Sequence, residues 1–196
     1  MIEASGKKGI SVRKMSIIGV LGSISIILGM TPLGFIPVSP TMKATIMHIP
    51  VIIGAIVEGP IVGMMVGLMF GVFSMIQSIT QPTPVSFIFW NPLISVVPRI
   101  AIGITSYYGY IILKRFSKSA VLQTSFAGAI GTLTNTIGVL GMAYLLYGAQ
   151  FAEKLGADPA LAGKMILGIG ISHGIPEVII AMLVVSGVCK GLRLLK

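Results

Sequence analysis

The run that decides the fold is IVGMMVGLMFGVFSMIQSI, from Ile61 to Ile79, set between the turn Glu58-Gly59-Pro60 and the loop Gln81-Pro82-Thr83-Pro84. These 19 residues carry no charge, and a helix needs roughly 20 apolar residues to cross the hydrocarbon of a bilayer. Outward from it lie five more apolar runs: Lys14–Met30, Thr45–Val57, Trp90–Leu113, Ala120–Tyr147 and Lys164–Leu192. The second run in chain order has only 13 residues and must borrow depth from its flanks. The last two are long enough to tilt or to project from the membrane. Proline and glycine punctuate the gaps, with Thr31-Pro32-Leu33-Gly34, Pro37 and Pro40 reading as one long loop. The pattern predicts an all-α, polytopic membrane protein of six transmembrane helices, with a tail over 1–13 and one membrane domain over 14–196.

Composition agrees. Of 196 residues, 55% are hydrophobic and 10% charged, where a soluble domain carries about a quarter charged. That excludes a soluble globule and a highly charged disordered chain alike. The net charge of +9 would suggest nucleic acid on a soluble surface, but its placement says otherwise. Ten basic residues (Lys7, Lys8, Arg13, Lys14, Lys114, Arg115, Lys118, Lys190, Arg193 and Lys196) fall on one side of a six-span arrangement. Lys43, Lys154 and Lys164 fall on the other. Positive loops stay cytoplasmic, so both termini are expected inside and nucleic acid is not a partner. The first run follows four basic residues, as a signal peptide would. No small-x-small cleavage site follows Met30, so a retained helix is expected. The single Cys189 allows no intrachain disulfide.

Gly59, Gly63, Gly67 and Gly71 recur every four residues and form a stripe along one helix face, where another backbone can approach closely. Packing within the protein and docking of a second membrane protein both suit such a stripe. The first run repeats the idea with Gly19-x-x-x-Ser23 and the neighbouring Gly22. There docking gains weight, because no polar cargo needs positioning nearby.

Charges inside a bilayer are expensive and usually functional. Two stand out, each directly after a proline: Val97-Pro98-Arg99 and Ile175-Pro176-Glu177. A proline inside a helix frees the carbonyl four residues back, here Ile94 and Ser172. At 1.5 Å per residue, Arg99 lies roughly 12 Å below Asn91, Asn135 roughly 18 Å below Tyr147, and Glu177 roughly 20 Å below Lys164. These depths suit one shared site. His173 sits one turn from Glu177 on the same face, with His48 near the end of the second span and Trp90-Asn91 at the mouth of the fourth. A buried Arg99–Glu177 ion pair is the structural alternative to a ligand site. His173-x-x-x-Glu177 has the spacing of two metal ligands, but a third could come only from His48 or Glu58. No Gly-x-Ser-x-Gly elbow and no phosphate-binding loop are legible, so neither catalysis nor ATP hydrolysis is expected of this chain.

With these residues in view, the chain resembles the S components of energy-coupling factor (ECF) vitamin transporters. The similarity lies in Thr45-Ile46-Met47-His48-Ile49-Pro50-Val51-Ile52-Ile53-Gly54-Ala55 with the glycine stripe behind it. Val97-Pro98-Arg99-Ile100, Gly131-Thr132-Leu133-Thr134-Asn135-Thr136 and Gly174-Ile175-Pro176-Glu177 are similar to the pantothenate-specific branch. The resemblance implies a vitamin-binding subunit in the cell membrane of a prokaryote, without a cofactor, docked on a transmembrane T component driven by two cytosolic ATPases. It implies docking through Gly19 and Ser23 of the first helix, where the family carries Ala-x-x-x-Ala, and a gate formed by Thr31 to Ala44. For pantothenate, Arg99 would take the carboxylate, Asn135 the amide or hydroxyls, and Glu177 a hydroxyl or Arg99 itself. Phe87, Trp90 and Tyr144 would cover the dimethyl group, with Asn91, His173 and His48 as further contacts. A pyridoxine-like or hydroxymethylpyrimidine-like vitamin is the first alternative, and an intramembrane metal-dependent enzyme using His173 and Glu177 a distant one.

Overall fold

The computed structural model describes residues 11–39 and 42–192. Most of the expected tail, and Lys7, Lys8, Arg193 and Lys196 of the charge argument, lie outside them. Seven helices are formed among the described residues: α1 (Val12–Met30), α2 (Ile49–Glu58), α3 (Pro60–Thr80), α4 (Pro92–Ser95), α5 (Val97–Phe116), α6 (Ala120–Lys154) and α7 (Ala162–Gly191). Five spans, with α4 and α5 counted together, are long and apolar enough to cross a membrane, and α2 is a shorter apolar helix.

Three departures from the sequence expectation matter. The first concerns the long loop, which contains an antiparallel hairpin: β1 (Phe35–Ser39) paired with β2 (Met42–Thr45), Phe35 opposite Thr45 and Ile36 opposite Ala44. The second concerns α2. It is 10 residues long, about 15 Å, or half the hydrocarbon, and every residue from Ile49 to Ala55 is buried. It plugs the bundle centre, packed against α1, α3 and α5. Non-helical backbone at membrane depth is stable only when protein surrounds it. The third is the fourth run, which is broken. Ser86–Trp90 is a 3-10 turn, α4 is one turn capped by the Asn91 side chain accepting from Leu93 N–H at 3.0 Å, and α5 restarts at Val97. Pro98 thus lies in the first turn of α5, not in a helix interior, where its missing N–H would have had no helical partner anyway.

The glycine stripe serves packing inside the chain. After the positive-φ turn at Gly59, the later glycines press on neighbouring helices: a Cβ at Gly63 would meet Ala55 of α2 and Gly103 of α5, one at Gly67 the Arg99 carbonyl of α5, and one at Gly71 the Ser95 carbonyl at the end of α4. This seam sets the position of Arg99. On α1, Gly22 is buried against Met69 of α3, while Gly19 and Ser23 are exposed on the outward face. The proposed three-residue docking face therefore loses Gly22 to internal packing. On α6, the boundary read at Tyr147 falls on a kink (φ −138°), beyond which the helix continues to Lys154.

Two apolar clusters divide the bundle. One surrounds α2 with Ile52, Val62, Val66, Ile102 and Val185. The other, at the hairpin end, holds Ile88, Ile94, Val139, Phe151 and Ile166. A cavity opens beneath the hairpin.

Candidate functional site

The cavity measures about 470 Å³. The hairpin roofs it with Phe35 and Thr45; α3 contributes Phe70, Ser74 and Gln77; α5, α6 and α7 contribute Arg99, Asn135, Thr136, His173 and Glu177. Four residues singled out from the sequence, Arg99, Asn135, His173 and Glu177, therefore share one wall-lined space although they come from three helices.

Arg99 is 5% exposed. One terminal nitrogen (Nη1) donates to the carbonyl of Ile94 in the preceding helix α4. Its guanidinium carbon lies 5.5 Å from the ring centroids of both Phe70 and Phe89. Each such cation–π contact contributes about 0.5–2 kcal/mol, which offsets part of the desolvation cost of a buried cation. The 3-10 turn that carries Phe89 is itself fastened, by Ser95 Oγ donating to the Phe89 carbonyl and by Trp90 Nε1 donating to the Ser78 carbonyl at 3.3 Å. Among the described residues Arg99 has no ion-pair partner, the one ion pair being Arg13–Glu58 at 2.6 Å. Its Nε has no partner, and nor do Asn135 Oδ1 and Thr136 Oγ1, all three atoms buried.

Glu177 forms no ion pair with Arg99. Its Oε1 accepts from the Thr45 N–H at 2.8 Å and from Thr45 Oγ1 at 2.7 Å, across 132 residues. The carboxylate fastens the base of the hairpin to the middle of α7. His173 Nδ1 pairs with Ser172 Oγ at 3.0 Å, and its ring projects into the cavity wall.

The cavity thus brings together a buried guanidinium with a free donor and neighbouring amide and hydroxyl oxygens without partners. Residues 13–189 match the family "ECF transporter, substrate-specific component". The chain belongs to this family. It is also similar to the pantothenic acid transporter PanT of Lactococcus lactis subsp. cremoris (strain MG1363), 28% identical over 165 residues, which cover 77% of this chain and 78% of that one.

The remaining expected contacts of this substrate-specific component lie elsewhere. His48 is buried beneath the cavity, its Nε2 paired with Thr132 Oγ1 at 2.9 Å. Asn91 caps α4 and donates to the Tyr147 hydroxyl at 3.2 Å. Trp90 is 54% exposed and pins the 3-10 turn from outside. Phe87 stacks edge-on against Tyr147, beside a separate hollow with Glu153 and Lys154. Tyr144 lines a separate groove between α6 and α7. These five are aromatic or polar residues near span ends, and proximity in sequence to a mouth does not fix which way a side chain turns.

Sequence reasoning missed Thr45, Thr136, Phe70, Phe89, Ser74 and Gln77. A signal existed for two: Ser74 and Gln77 interrupt an apolar run at i,i+3 spacing, one helix face. Phe70 and Phe89 carried none, because an aromatic residue in an apolar run reads as ordinary core.

Proposed function

We infer that this substrate-specific component captures pantothenate. The observation that carries the reading is Arg99, a buried cation on the cavity wall with an unpartnered Nε and no ion-pair partner among the described residues. A monoanionic ligand supplies the missing charge, and pantothenate adds an amide and two hydroxyls for Asn135 Oδ1 and Thr136 Oγ1 to meet. The 28% identical relative is named for pantothenic acid, which supports the same choice. Ring-stacking vitamins fit less well, because Phe70 and Phe89 are already engaged with the guanidinium.

On this reading the chain carries no ATPase of its own. It hands its cargo to a transmembrane T component with two cytosolic ATPases, meeting it through the outward Gly19–Ser23 face of α1. Both termini lie in the cytoplasm, so the hairpin end of the bundle opens outward in the plasma membrane. The charge bias of the loops supports that orientation.

Calorimetry on the purified chain is the test. Pantothenate binds, and the analogue with a neutral carboxamide in place of the carboxylate binds more weakly to the wild type but no more weakly to Arg99→Ala. Equal binding of acid and amide by the wild type would overturn the assignment of Arg99 to the carboxylate. No binding of either, with tight binding of another vitamin, would overturn pantothenate itself.

A further inference from the structure

On the outer side of the bundle a second hollow, about 740 Å³, runs between α6 and α7. It extends from Leu133 to Tyr144 on α6 and from Gly163 to Ile179 on α7. Four glycines, Gly141, Gly163, Gly170 and Gly174, line it where side chains would otherwise close the gap. Apart from Thr136 and Tyr144 its lining is apolar, so water is a poor filler. Both helices are membrane spans. The α6 wall is about 16 Å long by helical rise, the depth of one hydrocarbon leaflet, roughly half of 30 Å. The mouth lies at the hairpin end and is polar. The Tyr144 ring and hydroxyl lie against Gly163, and the next residue, Lys164, is exposed.

We propose that this groove is a binding site for one acyl chain of an anionic phospholipid, with the phosphate held at Lys164 and Tyr144. The dimensions favour a chain over a protein helix. About 740 Å³ over about 16 Å gives a mean section of about 46 Å², against about 80 Å² for a helix 10 Å across. The lysine at headgroup depth selects an anionic head. The site also touches the cavity: Thr136 and Leu140 line both spaces, with Gly174 behind Thr136 and Gly170 behind Leu140. A chain in the groove therefore backs the same wall that a ligand presses from within.

The test reconstitutes the full chain in nanodiscs of phosphatidylglycerol or phosphatidylcholine containing a trace of the same lipid with a diazirine on its acyl chain. Photolabelled peptides are mapped by mass spectrometry. Labelling is expected to concentrate on 133–144 and 163–179, and to fall severalfold in Gly141→Phe, where an added side chain meets open space. Gly187→Phe, two turns beyond the groove on α7 and equally unobstructed, keeps the wild-type labelling and guards against misfolding. Lys164→Gln lowers the preference for phosphatidylglycerol about fivefold, the worth of one basic residue near an anionic surface. Labelling spread evenly over the outward faces of α1, α3 and α5, or unaltered by Gly141→Phe, overturns the site. So do crosslinks joining two copies of the chain through these segments. Equal labelling by both lipids, unmoved by Lys164→Gln, overturns the anionic headgroup.

Discussion

The segments Val97-Pro98-Arg99 and Ile175-Pro176-Glu177 look like twins, a proline followed by a charge inside an apolar span, yet the fold uses them oppositely. Arg99 stands at the start of a restarted helix, donates to a carbonyl of the preceding short helix, and rests between two aromatic rings with an unpartnered nitrogen. Glu177 stands mid-helix and is engaged by both polar groups of Thr45. One charge is left in want of a partner, the other is consumed in holding a strand. A buried charge marks function through what remains unsatisfied around it, not through burial alone.

That contrast can be broken most sharply at Arg99. Arg99→Ala is expected to weaken pantothenate binding by about 2–5 kcal/mol by calorimetry, the usual cost of truncating one side of a buried charge pair. Unchanged affinity would make both charges structural. Glu177→Ala should act on the hairpin instead. Loss of an acceptor for hydrogen bonds to a charged group is worth about 1.5–3 kcal/mol, so hydrogen exchange at the Thr45 amide is expected to speed up about ten- to a hundredfold. Retained protection at Thr45 would sever Glu177 from the hairpin.

The glycine seam sharpens the comparison, since it positions one member only. Gly67→Ala drives a methyl into the Arg99 carbonyl, and such overpacking costs about 1–3 kcal/mol, read as a lower melting temperature in detergent together with weaker binding. Gly141→Ala, facing open space, should leave both measurements unmoved. Smallest is Asn91→Ala: it removes the cap of α4 at about 1 kcal/mol of stability, while pantothenate affinity stays within about threefold because Asn91 does not line the cavity. A larger loss of affinity would restore Asn91 to the site.

Much of this was legible in the chain itself, for a physical reason. Hydropathy and charge are sums over neighbours, so the spans at Ile61–Ile79 and Ala120–Tyr147 could be read without knowing any contact. The common depth of Arg99, Asn135 and Glu177 followed from helical rise alone. The kink at Tyr147 fell where the apolar run ended. What only the tertiary structure decided was which group each polar atom faces. Thr45 meets Glu177 from 132 residues away, and Phe70 and Phe89 close on Arg99 from two other elements. The Gly63–Gly71 part of the stripe found its partners in α2, α4 and α5 of the same chain. The shortness of α2 was legible, but the hairpin beside it was invisible for the same reason. Backbone that would be prohibitively costly against lipid becomes stable once helices from distant parts of the sequence enclose it.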